Sequence, residues 1–233
     1  MKKNHFKPVS ERRDFLKQIA TGAVVTLGAL ASPIPLTASP SLPFMLDNDD
    51  PDAWFNKLNG KHKIVYDVPE AKGMMPFAWA RVFLLTNAKT GTPEKESNVV
   101  IILRHDGIPY AMENRLWEKY KFGEMFKIND EKTKAPATQN MFWQPKPGAF
   151  SVPGIGEVAI GINELQDSGV MFCVCDMALT VFSAVAAQNM NKDAAEVKKD
   201  WVAGILPGIQ IVPSGVWAVG RAQEHGCAYC YAG

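Results

Sequence analysis

Gly169-Val-Met-Phe-Cys-Val-Cys-Asp-Met-Ala-Leu179 is the stretch whose reading decides the fold. Its apolar run, bounded by Gly169 and Asp176, fits a strand buried on both faces, and residues 177–190 continue as a largely apolar helix carrying Ala178, Leu179, Val181, Phe182, Val185 and Ala186. No loop separates the two, and Asp176 reads as the N-cap. Cys175 is therefore expected where a strand ends and a helix begins, beside free backbone N–H groups and the positive end of a macrodipole, which favour thiolate over thiol. It is the first candidate for chemistry. Its other reading is a small buried hydrophobe.

Outward from this junction, strands and helices alternate. Residues 62–67 read as a first strand, 77–87 as the helix that follows, and Val99-Val-Ile-Ile-Leu103 as a central strand that delivers Arg104, His105 and Asp106 to its carboxyl end. Helices are expected near 112–120, 157–166, 193–201 and 216–224, the last opened by Pro213-Ser214-Gly215, and a strand over 209–212. The end, 226–233, reads as a last strand or a tail, and 131–156 is a long irregular segment with Pro136, Pro145, Pro147 and Pro153, of the kind that is functional or flexible. This alternation predicts an α/β domain of three layers, α/β/α and Rossmann-like, with a mostly parallel sheet of about five strands. Ligands of such sheets bind outside the carboxyl ends of the strands, where Cys175 and His105 both fall.

The first residues do not belong to that domain. Lys2, Lys3, Lys7, Arg12, Arg13 and Lys17 form a basic leader, and no charged residue occurs from 19 to 36. This is the pattern of a bacterial export signal. Glu11-Arg-Arg-Asp-Phe-Leu-Lys17 resembles the twin-arginine consensus, so 1–38 reads as a twin-arginine signal peptide, cleaved after Ala31 or Ala38. Residues 39–61 then read as a Pro, Ser and Asp-rich linker with a short helix near 50–55, where Asp50 is the N-cap and Pro51 the first helical residue, and 62–233 as the domain. Export implies the twin-arginine translocase as a transient partner and the periplasm as the destination. A membrane anchor is expected only if the leader is retained, because no other apolar run reaches the ~20 residues of a spanning helix. Six of the 25 Lys and Arg and two of the 24 Asp and Glu lie in the leader, leaving 19 basic against 22 acidic residues, a formal charge of −3. A chain so balanced, without basic runs, is not expected to bind nucleic acid.

Among the remaining candidates, Cys173 lies two residues before Cys175 and is either a resolving thiol or a structural one. Cys227-Ala-Tyr-Cys230 is open in the same way. An extended strand holds its two Cα atoms ~10 Å apart on opposite faces and makes them independent, whereas a turn would pair them as a disulfide or half a metal site. With His225 they are the candidate ligands for zinc, copper or iron, although none of the spacings is that of a finger. His105 is either a support for a thiolate or a histidine satisfied by Asp106 and nearby backbone. A Gly-x-Ser-x-Gly elbow and a Gly-x-Gly-x-x-Gly fingerprint are both missing, which disfavours a hydrolase of the elbow type and a dinucleotide enzyme.

Taken together, GVMFCVCDMAL (169–179), IQIVPSGVWAVGRAQEHG (209–226), VVIILRH (99–105), WEKYKFGE (117–124) and APATQN (135–140) resemble the DsrE/DsrF-like family, in particular its exported twin-arginine branch. The resemblance covers roughly 62–233. It implies the same three-layer fold and a homo-oligomer, trimeric or hexameric. It also implies a role in sulfur metabolism, with sulfane sulfur carried as a persulfide on Cys175, Cys173 as possible resolver and His105 in support, and a small sulfur species or a sulfur-carrier protein as partner. The alternative is a periplasmic accessory protein without turnover that binds metal or assembles through its cysteine pairs.

Overall fold

A computed structural model describes residues 50–233 other than 51, 72 and 131. The leader, its cleavage sites and the linker through residue 49 lie outside the described residues. Apolar and β-branched runs form the strands of the main sheet: β1 (His62–Val68), β2 (Ser97–Leu103), β5 (Met171–Cys175), β6 (Ile209–Val212) and β7 (Ala228–Tyr231). All pair in parallel, in the order β6-β5-β2-β1-β7. Two short strands, β3 (Ser151–Val152) and β4 (Gly156–Glu157), form a separate antiparallel pair inside the long segment. The helices are α1 (Met75–Lys89), α2 (Asn114–Tyr120), α3 (Phe122–Met125), α4 (Ile162–Asp167), α5 (Asp176–Met190), α6 (Ala194–Ala203) and α7 (Gly215–Glu224).

Strand alternation sorts the core into two layers. Val99, Ile101 and Leu103 of β2 join Phe77 and Leu84 of α1, Trp117 of α2, Leu165 of α4, Leu179 of α5 and Trp201 of α6. Val100 and Ile102 point the other way, to Ala218 and Ala222 of α7 and to Phe55 of a 3₁₀ turn at Ala53–Lys57. The small residues of α7 let this one helix lie close on β1, β2, β5 and β7. The result is the expected α/β/α arrangement, with several helices on one face and α7 with the 3₁₀ turn on the other. The expected short helix near 50–55 is this 3₁₀ turn, and its N-cap is Asp52 rather than Asp50.

The long segment is neither free nor helical. Asn140 is buried, its side-chain amide donates to the carbonyls of Tyr110 (2.9 Å) and Met112 (3.1 Å), and its Oδ1 accepts from the Phe142 N–H at 3.1 Å. Phe142 is fully buried against Phe77 (4.4 Å between centroids), Phe150 (5.1 Å) and Tyr110 (5.2 Å). Besides the short β3–β4 pair, these two anchors tie the proline-rich segment to the core. The helix expected over 157–166 is shortened to α4 because Gly156 and Glu157 pair with β3 instead.

Asp200 of α6 clasps α2, accepting from Arg115 Nη1, Lys119 Nζ and Tyr120 Oη, each at 2.6 Å. Burial works to raise this carboxyl, but the bonds from Lys119, Tyr120 and Arg115 outweigh it and hold the group well below the usual carboxylate range. A depressed folded-state pKa contributes stability that is present above the unfolded value of ~3.9 and is lost as pH falls below it. Acidification from pH 7 to pH 3 should therefore shift the urea midpoint less in Asp200→Asn protein than in the unsubstituted chain. Equal shifts would mean that this clasp does not contribute to acid sensitivity.

Two helix faces remain apolar and exposed: Met75, Trp79, Val82 and Leu85 on α1, and Met177, Val181 and Val185 on α5. Among the described residues no helix is long and apolar enough to cross a membrane.

Candidate functional site

β5 passes without a loop into α5 on the crowded face, whereas its neighbour β6 passes through Pro213 and Ser214 into α7 on the other. Where chains leave adjacent strands toward opposite faces, the carboxyl edge is the general ligand position of open α/β sheets. Cys175 and Val212 are directly paired at that edge. Both helices start there. Cys175 caps α5, its Sγ accepting the Ala178 N–H at 3.3 Å, and Ser214 caps α7, its Oγ accepting the Trp217 N–H at 3.2 Å.

The N-cap is thus Cys175 and not Asp176. The Asp176 carboxylate is occupied elsewhere, 2.9 Å from Lys198 Nζ of α6, a tertiary partner that local sequence does not reveal. Sγ is consequently the acceptor at the helix start, in a residue only 6% exposed. The N–H groups of the first turn of a helix, together with its dipole, favour negative charge at this position.

A row of polar side chains continues from Cys175 across the same edge. The β2–β5 register pairs Leu103 with Val174, so Arg104 follows β2 beside Cys175. Its Nε and Nη2 clasp Asp67 Oδ1 and Oδ2 of β1 at 2.6 and 2.9 Å. Tyr229 of β7 donates its hydroxyl to Asp67 Oδ2 at 2.9 Å, and Tyr231 donates to Glu70 at 3.2 Å. Asp67 is almost fully buried, and its hydrogen bond is the largest of the influences that raise the Arg104 pKa, with the Cys175 sulfur a smaller one in the same direction. The Tyr229 hydroxyl is likewise pushed up, by burial and then by Asp67.

His105 begins a 3₁₀ turn (His105–Ala111) in the left-handed region, at φ 46°. Its Nδ1 lies 3.3 Å from Asp106 Oδ1, its ring meets Phe182 edge-on at 5.5 Å, and its side chain is 64% exposed. No hydrogen bond among the described residues joins it to Cys175. It stands at the exposed rim of the edge.

The other cysteines are thiols set apart from that row. Cys173 is fully buried in the α7-side cluster, and burial, followed by the Cys175 charge, drives its thiol strongly up. β7 is a strand, so Cys227 and Cys230 belong to opposite faces: Cys227 packs in the α7-side cluster and Cys230 against the larger one. Burial raises Cys227 to about 11 and raises Cys230 as well. His225 stacks on Phe55 and lies 3.8 Å from Asp52 Oδ1. The proposed ligand set Cys227, Cys230 and His225 is therefore not assembled, because extended backbone turns its two thiols away from each other. Among the described residues no three His, Cys, Asp or Glu side chains come together as a metal cluster.

Asp67 and Tyr229 went unnoticed in the sequence. The available signal was a carboxylate near the end of the strand 62–68, directly after Ile64-Val65-Tyr66, an expensive residue to bury unless paired. Tyr229 carried no comparable signal, since only the sheet order brings it beside β1.

No protein-family model and no curated protein matches the chain. A solved structure of a protein of unknown function from Methanobacterium thermoautotrophicum is similar to it at 14% identity, covering 73% of this chain and 98% of its own, with a TM-score of 0.38. What the fold and the site define is a class: an α/β protein of parallel sheet with a thiol at the carboxyl edge. The strand pairing itself carries that statement.

Proposed function

We propose that this protein binds and relays sulfane sulfur as a persulfide on Cys175. The supporting observation is the position of Sγ, at the carboxyl edge of the sheet and the start of α5, accepting a backbone N–H and in strand register with Arg104. In the step proposed, the Cys175 thiolate attacks the outer sulfur of a persulfide or polysulfide. A new S–S bond forms on Cys175 as the donor's S–S bond breaks, and the donor leaves as a thiolate with the electron pair. Transfer onward reverses the roles, with an acceptor thiolate taking the outer sulfur and Cys175 leaving as thiolate. The exchange balances without an external oxidant or reductant. The Ala178 N–H of α5 is placed to donate to Sγ as it attacks and again as it leaves. With the leader read as a twin-arginine signal, the donors would be those of the periplasm.

Incubation of the native protein with polysulfide, followed by intact-mass and peptide mass spectrometry, tests this. The expected result is sulfur added at the peptide carrying Cys175 and lost in Cys175→Ser protein. Undiminished labelling in that variant would sink the proposal.

A second reading, an oligomeric accessory protein without turnover, is favoured by the exposed stripe Met177, Val181 and Val185 on α5, an apolar face suited to a second copy of the chain. Sedimentation of Val181→Glu protein checks it: assembly through this face predicts a fall in mass to that of the monomer.

A further inference from the structure

We propose that Arg104 determines which reactants reach Cys175, its clamped guanidinium admitting sulfane-sulfur donors that carry negative charge, such as persulfide and polysulfide anions, over neutral disulfides and trisulfides. The inference rests on Cys175 being the reacting sulfur, and it adds the chemical class of donor.

The ion pair is asymmetric. The Asp67 side chain is 4% exposed and the Arg104 side chain 25%, so the carboxylate is sealed behind the cation while the cation meets water. The carboxylate is also filled from within, because Oδ1 takes Nε, and Oδ2 takes both Nη2 and the Tyr229 hydroxyl. On the guanidinium, Nη1 and the second N–H of Nη2 have no partner among the described residues. These are the donors that a planar fork offers an oxyanion or a sulfur anion.

The stem of the arginine is fixed as well. A Cβ on Gly215, the first residue of α7, would stand 2.4 Å from Arg104 Cβ and 2.8 Å from its Cδ, so the α7 backbone lies directly on the stem and no larger residue fits there without displacing it. Clamped at its head by Asp67 and along its stem by Gly215, the guanidinium is a preorganised receptor rather than a mobile surface charge. Strand register sets the Arg104 backbone beside Cys175, the sulfur's charge acts on the guanidinium, and the starts of α5 and α7 add positive potential at the same edge. A buried ion pair of this kind contributes little net stability compared with apolar residues of similar volume, so stability alone does not account for it.

The test compares two alkylating reagents that differ in charge and little else. Iodoacetate is an anion and iodoacetamide is neutral, and both react with a thiolate by displacing iodide. Their rates at Cys175 are followed in the full native chain by mass spectrometry of the Cys175 peptide. The ratio of iodoacetate to iodoacetamide rates should fall about tenfold when Arg104 becomes Gln, the scale of one unit charge acting across several ångströms at a protein surface. Arg104→Gln leaves a carboxylate buried without its partner, so the double substitution Asp67→Asn with Arg104→Gln, which puts two amides in place of two opposite charges, carries the measurement in a folded protein. A smaller fall in the same direction is expected there, because the exposed cation faces the edge and the carboxylate lies behind it. An unchanged ratio in the double variant, with sulfur loading intact, overturns the inference and leaves the sulfur reading standing. A tenfold fall without any polysulfide loading supports the receptor and rejects the relay. If native Cys175 takes neither reagent, both fail.

Discussion

Asp67→Ala protein should unfold in urea with a free energy about 3–5 kcal/mol below that of the unsubstituted chain, the cost of removing one partner from a buried ion pair. The loss has two sources. Arg104 is left with an uncompensated charge in a region that is three-quarters covered, and the Tyr229 hydroxyl loses its acceptor. Replacing Asp67 and Arg104 together by Leu should recover most of that loss, because no charge then remains to be desolvated. The comparison of single and double variants separates the strength of the pair from the penalty of stranding half of it. A double variant as unstable as the single one would show that the row is held by shape and not by charge.

Phe142→Ala should cost about 3–5 kcal/mol, the range for truncating a large buried aromatic side chain. Phe142 touches three other rings, and it is the point at which the long segment enters the core. Its removal leaves a cavity beside Phe77 that neighbouring β2 and α1 are too well packed to close. Limited proteolysis gives the second reading: cuts should appear within 131–156 under conditions that leave the unsubstituted protein whole. Asn140 supplies an independent anchor there, so loss of Phe142 should open the segment locally before the sheet melts.

What the sequence disclosed follows from the range of the forces involved. Val99-Val-Ile-Ile-Leu103 announces a buried strand by composition, and the Gly169–Asp176 run announces another, so β2 and β5 were legible to within a residue or two. Ser214 and Asp193 were legible as helix starts because a cap acts over three residues. Asp176 obeys the same local rule, yet Lys198, 22 residues on, takes its carboxylate and Cys175 caps the helix. The Cys227-Cys230 spacing left strand and turn open, and pairing with β1 decides for the strand. Sheet order is the least local property of all. No window of sequence says that β7 lies against β1, and so none could say that a tyrosine there completes a pair made by β1 and β2.

The separation along the chain also bears on the order of assembly. Asp67 and Arg104 are 37 residues apart and sit on neighbouring strands, so their pairing needs only β1, α1 and β2. The Tyr229 hydroxyl reaches the same carboxylate across 162 residues of chain, and Cys175 joins the row from a strand formed in between. Contacts of such long range carry the largest loop-closure cost and are the slowest to form. The expected order of assembly is therefore the cation first, the thiol second and the closing strand last. Until β7 docks, the first strand has an open edge and the buried carboxylate lacks a ligand. A refolding experiment that follows Tyr229 would time the maturation of the site and not merely the collapse of the core.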